Sequence, residues 1–193
     1  MLAIEHPKLQ QLFDYWASKS GERKMPSRAD IDPLDLTFII GNVILVDVIE
    51  GDPLRFRIRL HGTNLTERVG YELTGKMLDE LPQAEFRELS RLSFTKVANS
   101  GKPLQGRRDR ILDGRSRRYE TIILPLSGDD ARVDMLLCGL IYDDEIRSAA
   151  APQPARHRLD LPRTGATPAF PIAVGRCRTD IERTFVSRRR EER

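Results

Sequence analysis

Leu54, Phe56, Ile58 and Leu60 alternate without a break with Arg55, Arg57 and Arg59, and this run constrains the fold more than any other stretch of the chain. A period of two fits a β-strand with one buried and one wet face; the apolar positions of a helix recur every three to four residues instead. Such a strand cannot bury its apolar face alone. It needs neighbours for its backbone and a cover for that face. The first neighbour lies just upstream, where Val43, Ile44, Val46, Val48 and Ile49 give residues 42–49 the β-branched content of a strand. Gly51-Asp52-Pro53 supplies the turn between them, so the two strands read as an antiparallel hairpin.

Downstream, residues 62–82 change to short, weakly periodic helical pieces punctuated by Gly70 and Gly75. Residues 83–99 then read as the longest helix, with Phe86, Leu89, Leu92 or Ser93, and Val97 on one side and Gly101 as its stop. Three more strands are expected, at 104–112, 117–126 and 132–142, separated by Asp113-Gly114 and by Ser127-Gly128-Asp129-Asp130, residues suited to tight hairpin turns. Upstream, Leu9, Leu12, Phe13 and Trp16 put one apolar face on a helix over 7–19, with Pro7 in its first turn and Gly21 past its end. Residues 25–33 form a connector, and Asp32-Pro33 opens a short helical turn through Thr37. The order implies an α+β domain: a five-stranded antiparallel sheet with the inserted helices on one face.

Charge divides the chain further. Residues 148–193 hold ten Arg and no Lys against five acids, whereas the remainder is slightly acidic with 22 basic and 24 acidic residues. Ala149-Ala150-Ala151-Pro152-Gln153-Pro154 has the composition of a linker. The expected division is an N-terminal helix in 1–25, the sheet domain in 26–147 and a flexible basic tail in 148–193. Such a tail suits an acidic partner, so a nucleic-acid-associated regulator acting through it is one reading of function. The longest nearly apolar run, 135–142, is far short of the roughly 20 residues that span a bilayer. Neither a secretory signal nor a disulfide framework is expected with this N-terminus and with Cys138 and Cys177 in such different contexts, which points to the cytoplasm.

The element order is shared with the PAS fold, and particular residues carry the likeness. The stretch Gly62-Thr63-Asn64-Leu65-Thr66-Glu67-Arg68-Val69-Gly70-Tyr71-Glu72-Leu73-Thr74-Gly75-Lys76 resembles the helical PAS segment in which a Gly-Tyr pair precedes a second Gly. Tyr15-Trp16, Met25-Pro26, Asp30-Ile31-Asp32-Pro33 and Val46-Asp47-Val48 are similar to those of a bacterial family of stand-alone PAS proteins. The resemblance covers residues 9–143 and implies a sensory or signalling module that binds a small ligand or a partner protein. It also implies where a cofactor would show itself. Haem-binding PAS domains present a histidine from the long helix or a neighbouring element, and the long helix here contains none; flavin photoreceptors of this type carry a cysteine motif before that helix, where this chain has no Cys. The identity of any cofactor stays open.

The candidate ligand cavity lies between sheet and helices, lined by Phe56, Ile58, Leu65, Val69, Phe86, Leu89, Tyr119 and Leu137; the alternative is an ordinary filled core. Cys138, in the last apolar strand, reads as a small buried hydrophobe. Arg107, Arg108, Arg110, Arg115, Arg117 and Arg118 crowd one expected hairpin. Arg107, Arg108, Arg117 and Arg118 are candidate anion contacts, although Asp109, Asp113 and Glu120 among them also fit a charged strand edge. The apolar helix face of Leu9, Leu12, Phe13 and Trp16 either caps the sheet or meets a second copy in a homodimer. A catalytic set is hard to assemble, because His61 is the one histidine inside the expected core, and no metal site is expected.

Overall fold

The structure, a computed structural model, describes residues 2–112 and 114–143 of the 193-residue chain. The expected basic tail and Cys177 lie outside the described residues, as does Asp113 of the first hairpin turn.

Five strands form one antiparallel sheet: β1 (Val43–Ile49), β2 (Arg55–His61), β3 (Leu104–Leu112), β4 (Arg115–Leu126) and β5 (Met135–Tyr142). Their spatial order is β2-β1-β5-β4-β3. The first and last strands of the sequence thus pair at the centre, with Leu45 opposite Leu137. β5 is hydrogen-bonded on both sides and buried along its whole length, as an apolar run with no alternation requires.

The arginine-interrupted run forms β2 with Phe56 and Ile58 buried, but its alternation does not survive to the end. Leu45 pairs with Leu60 while Val46 pairs with Ile58, so Arg59 is the extra residue of a β-bulge. The bulge reverses which side chains face inward. Leu60 is 36% exposed, and His61, not Leu60, turns into the core. Arg57 and Arg59 then both reach Asp47 on the outer side, their Nε atoms donating at 2.9 and 2.6 Å.

The segment between β2 and β3 covers one face of the sheet. It contains α2 (Thr63–Val69), a 3-10 turn at Leu78–Glu80 and α3 (Ala84–Ser100). α2 ends at Gly70 and α3 at Gly101, both left-handed, each amide bonding back into the last turn. Within α3 the expected face turns inward with Ser93 rather than Leu92 on it: Leu92 is 55% exposed, while Val97 and the neighbouring Phe94 are buried. α2 is seated by a close backbone approach, since a Cβ on Gly62 would lie 2.3 Å from the carbonyl oxygen of Gly41.

The N-terminal helix α1 (Pro7–Ser20) packs on the opposite face, against β4 and β5. Gly139 makes room for it: a Cβ there would lie 2.7 Å from methyl groups of both Leu9 and Leu12. Trp16 Nε1 donates to the Pro125 carbonyl at 2.8 Å. The start of the helix is held by the fully buried Glu120, whose carboxylate accepts the backbone N–H of Glu5 at 2.9 Å and of His6 at 2.8 Å. Leu9, Leu12 and Trp16 of this helix are buried. Its apolar face packs on the chain's own sheet, and the half-buried Phe13 stacks on Trp16 with ring centroids 5.9 Å apart. The β4–β5 connection is also longer than a tight hairpin. It spans residues 127–134, and Asp129 Oδ1 accepts from the amides of Ala131 and Arg132.

Candidate functional site

Between the sheet and α2–α3 lies a cavity of about 60 Å³. Strand alternation decides which residues reach it. Ile44 and Ile58 come from β1 and β2, Cys138, Leu140 and Tyr142 from β5, and Tyr119, Thr121 and Ile123 from β4. α2 adds Leu65 and Val69, and α3 adds Phe86, Leu89, Ser90, Ser93 and Phe94. Six of the residues expected from the sequence are thus brought together: Ile58, Leu65, Val69, Phe86, Leu89 and Tyr119. Two are not. Phe56 sits behind the wall, edge-on to Phe94 at 5.5 Å, and Leu137, next to the cavity-facing Cys138, points by strand alternation to the α1 side.

One end of this apolar cavity is polar. Arg110 is 8% exposed, and its guanidinium lies 3.8 Å from the ring centroid of Phe86. Nε donates to Gln83 Oε1 at 2.7 Å, and Nη2 donates to the Tyr71 hydroxyl at 2.7 Å and also to Gln83 Oε1. Among the described residues, Arg110 forms no salt bridge with a carboxylate. Tyr119 and Tyr142 complete this end, their rings 5.6 Å apart. Burial pushes the Tyr119 hydroxyl up to about 12, against the opposing pull of Arg108 and Arg110. The Tyr142 phenol is raised for the same reason, so both remain neutral hydrogen-bond donors.

His61 reaches the cavity through the β2 bulge. Its Nδ1 is 2.8 Å from Thr66 Oγ1, and the Thr66 hydroxyl donates to Glu72 Oε2 at 3.2 Å. With that hydroxyl proton committed to Glu72, Nδ1–H is the donor to Thr66. Burial holds the imidazole below its ordinary value, and Arg110 adds to the effect while Glu72 opposes it. Burial pushes the Cys138 thiol far up, which keeps it a thiol and a poor nucleophile.

The arginine cluster is divided by the sheet. Arg108 pairs across strands with Tyr119, and Arg110 with Arg117, on the cavity face; Arg107 and Arg118 lie on the other. Arg107 meets Glu5, and Arg118 Nε donates to Asp109 at 3.2 Å. Of the four candidate anion contacts, Arg108 alone lines the cavity, and it is exposed. The residue that matters most electrostatically, Arg110, was visible only as one of the cluster, His61 only as the lone core histidine and Tyr71 only as part of the Gly-Tyr pair, and Tyr142 carried no sequence signal for this site. Among the described residues, no group of three or more His, Cys, Asp or Glu side chains is placed to hold a metal ion, and no helix is long and apolar enough to cross a membrane.

Comparison with known proteins adds the following. A family model described as PAS domain matches residues 4–141. Among solved structures, the chain is similar to the PAS domain of Bordetella pertussis BvgS, at 18% identity over 72% of this chain and 94% of that one, with a TM-score of 0.44. It is also similar to a LOV protein of Rhodobacter sphaeroides, at 15% identity over 52% of this chain and 58% of that one, TM-score 0.41. A third is the N-terminal domain of a diguanylate cyclase with a PAS/PAC sensor from Marinobacter aquaeolei, at 14% identity over 54% of this chain and 98% of that one, TM-score 0.39. No curated protein matches the sequence.

Proposed function

Because the chain belongs to the PAS domain family, whose members are generally sensory or signalling modules, we propose that it is a non-catalytic sensor whose input is a small molecule held between the sheet and α2–α3. The observation that carries this reading is the cavity itself, apolar along most of its wall and polar at one end. A ligand site needs that combination, an apolar surface for affinity and a few fixed polar groups for orientation.

Size narrows the ligand. Ordinary drug-sized sites enclose about 300–1,000 Å³, and an apolar cavity of about 150 Å³ holds benzene. A cavity of about 60 Å³ has room for a few non-hydrogen atoms and none for a flavin or a haem without rearrangement. A non-catalytic role fits the state of these groups: Cys138 is kept protonated by burial, and His61 is tied to Thr66. A cytoplasmic setting goes with the same reading, since Cys138 is a free, buried thiol.

Native mass spectrometry of the full chain purified from its own host tests this proposal. The expected result is a mass above that of the chain by one small molecule, released on denaturation. A native mass equal to the chain alone, or a whole multiple of it, counts against a retained ligand and in favour of a module that signals through protein contacts only.

A further inference from the structure

Arg110 lines the cavity with no carboxylate partner among the described residues. Arg110 is only 8% exposed, and a charge withdrawn from water without a counter-charge is costly. Its neighbours offset part of that cost. Phe86 offers its ring face, and Gln83 and Tyr71 offer neutral oxygens. Those contacts run through Nε and Nη2. The other arginines of the hairpin show what the usual solution looks like: Arg107 and Arg118 each have a carboxylate partner. Arg110 has the greater burial and none.

We infer that the cavity takes a small monocarboxylate, its carboxylate on Arg110 and its short apolar tail against Leu65, Val69 and Leu89. This rests on the ligand-sensor reading above and specifies the class of molecule. A planar carboxylate matches the fork of a guanidinium, and the phenols of Tyr119 and Tyr142 are further donors at the same end. A single buried cation balances a single negative charge. The cavity volume limits the tail to a few carbons.

The test uses propionate and its neutral isostere propionamide, titrated into the full chain and followed by saturation-transfer NMR. Propionate is expected to bind saturably and at least about tenfold more tightly than propionamide. Arg110→Gln should erase that preference, and Arg110→Lys should keep part of it. Leu89→Trp fills the cavity without touching Arg110 and should abolish propionate binding, with far-UV circular dichroism showing that each variant is folded. Equal binding of acid and amide would overturn the anion assignment while leaving the cavity as a ligand site. Binding of neither overturns the assignment as well, and the mass measurement above then decides separately whether any ligand is held. Propionate binding that persists in Leu89→Trp places the anion elsewhere and overturns it too.

Discussion

His61 sits where an imidazole is awkward to charge. Burial disfavours the cation, Arg110 repels it, and Glu72, the one acid that favours it, acts from the far side of Thr66. Its folded-state value therefore lies below the ordinary 6.5. The unfolded chain then binds a proton first as pH falls, so this residue's contribution is intact above about pH 6.5 and is lost as pH drops below it. Urea midpoints measured at about pH 8 and about pH 5.5 should fall less in His61→Gln than in the unaltered protein. An equal fall in both would remove His61 from the account. The same residue shows where reading the sequence stops. Leu54, Phe56, Ile58 and Leu60 point to one buried face, and Phe56 and Ile58 keep to it, but nothing in the residue types marks Arg59 as the bulge that sends Leu60 outward and His61 inward. Arg110 reverses expectation in a similar way: it is buried while its neighbour Ile111 is 68% exposed. The parity of β3 is set by pairing with β4, where Arg108 faces Tyr119, and a hydropathy pattern read along one strand does not contain that.

Among the elements, α1 depends on the sheet through one unusual group. Glu120 is fully buried, and its carboxylate accepts two backbone amides at the entrance to α1 and the Gln105 side-chain amide at 3.1 Å. Glu120→Ala would leave those donors without their acceptor, a loss expected to cost about 3 kcal/mol. Trp16, the single tryptophan of the chain, reports on the same element because its indole is bonded to Pro125. Its emission should shift to the red and become easier to quench in the variant. A loss below about 1 kcal/mol with unchanged emission would show that α1 is held by apolar packing alone. The helix itself was legible, since Leu9, Leu12 and Trp16 mark its buried face by spacing. Its anchor was not, because Glu120 looks like one more charge on an arginine-rich hairpin until Glu5 and His6 are brought beside it from 115 and 114 residues away.

At the scale of the whole molecule, the sheet has two unlike faces. α1 seals one with fully buried leucines; α2, α3 and the turns between them cover the other and leave a cavity. The five strands and the inserted helices could be read from periodicity and turn residues, and so could most of the apolar cavity wall, because those patterns are local. The central pairing of β1 with β5 and the burial of Arg110 arise from contacts between distant segments. The account stands on the claim that the second face is the one that receives a ligand. Methyl-resolved NMR of the full chain during a propionate titration tests it most directly. The methyl signals of Leu65, Val69 and Leu89 should move together and saturate while those of Leu9 and Leu12 stay still; cavity methyls that do not move, or that move no more than those of α1, would contradict it.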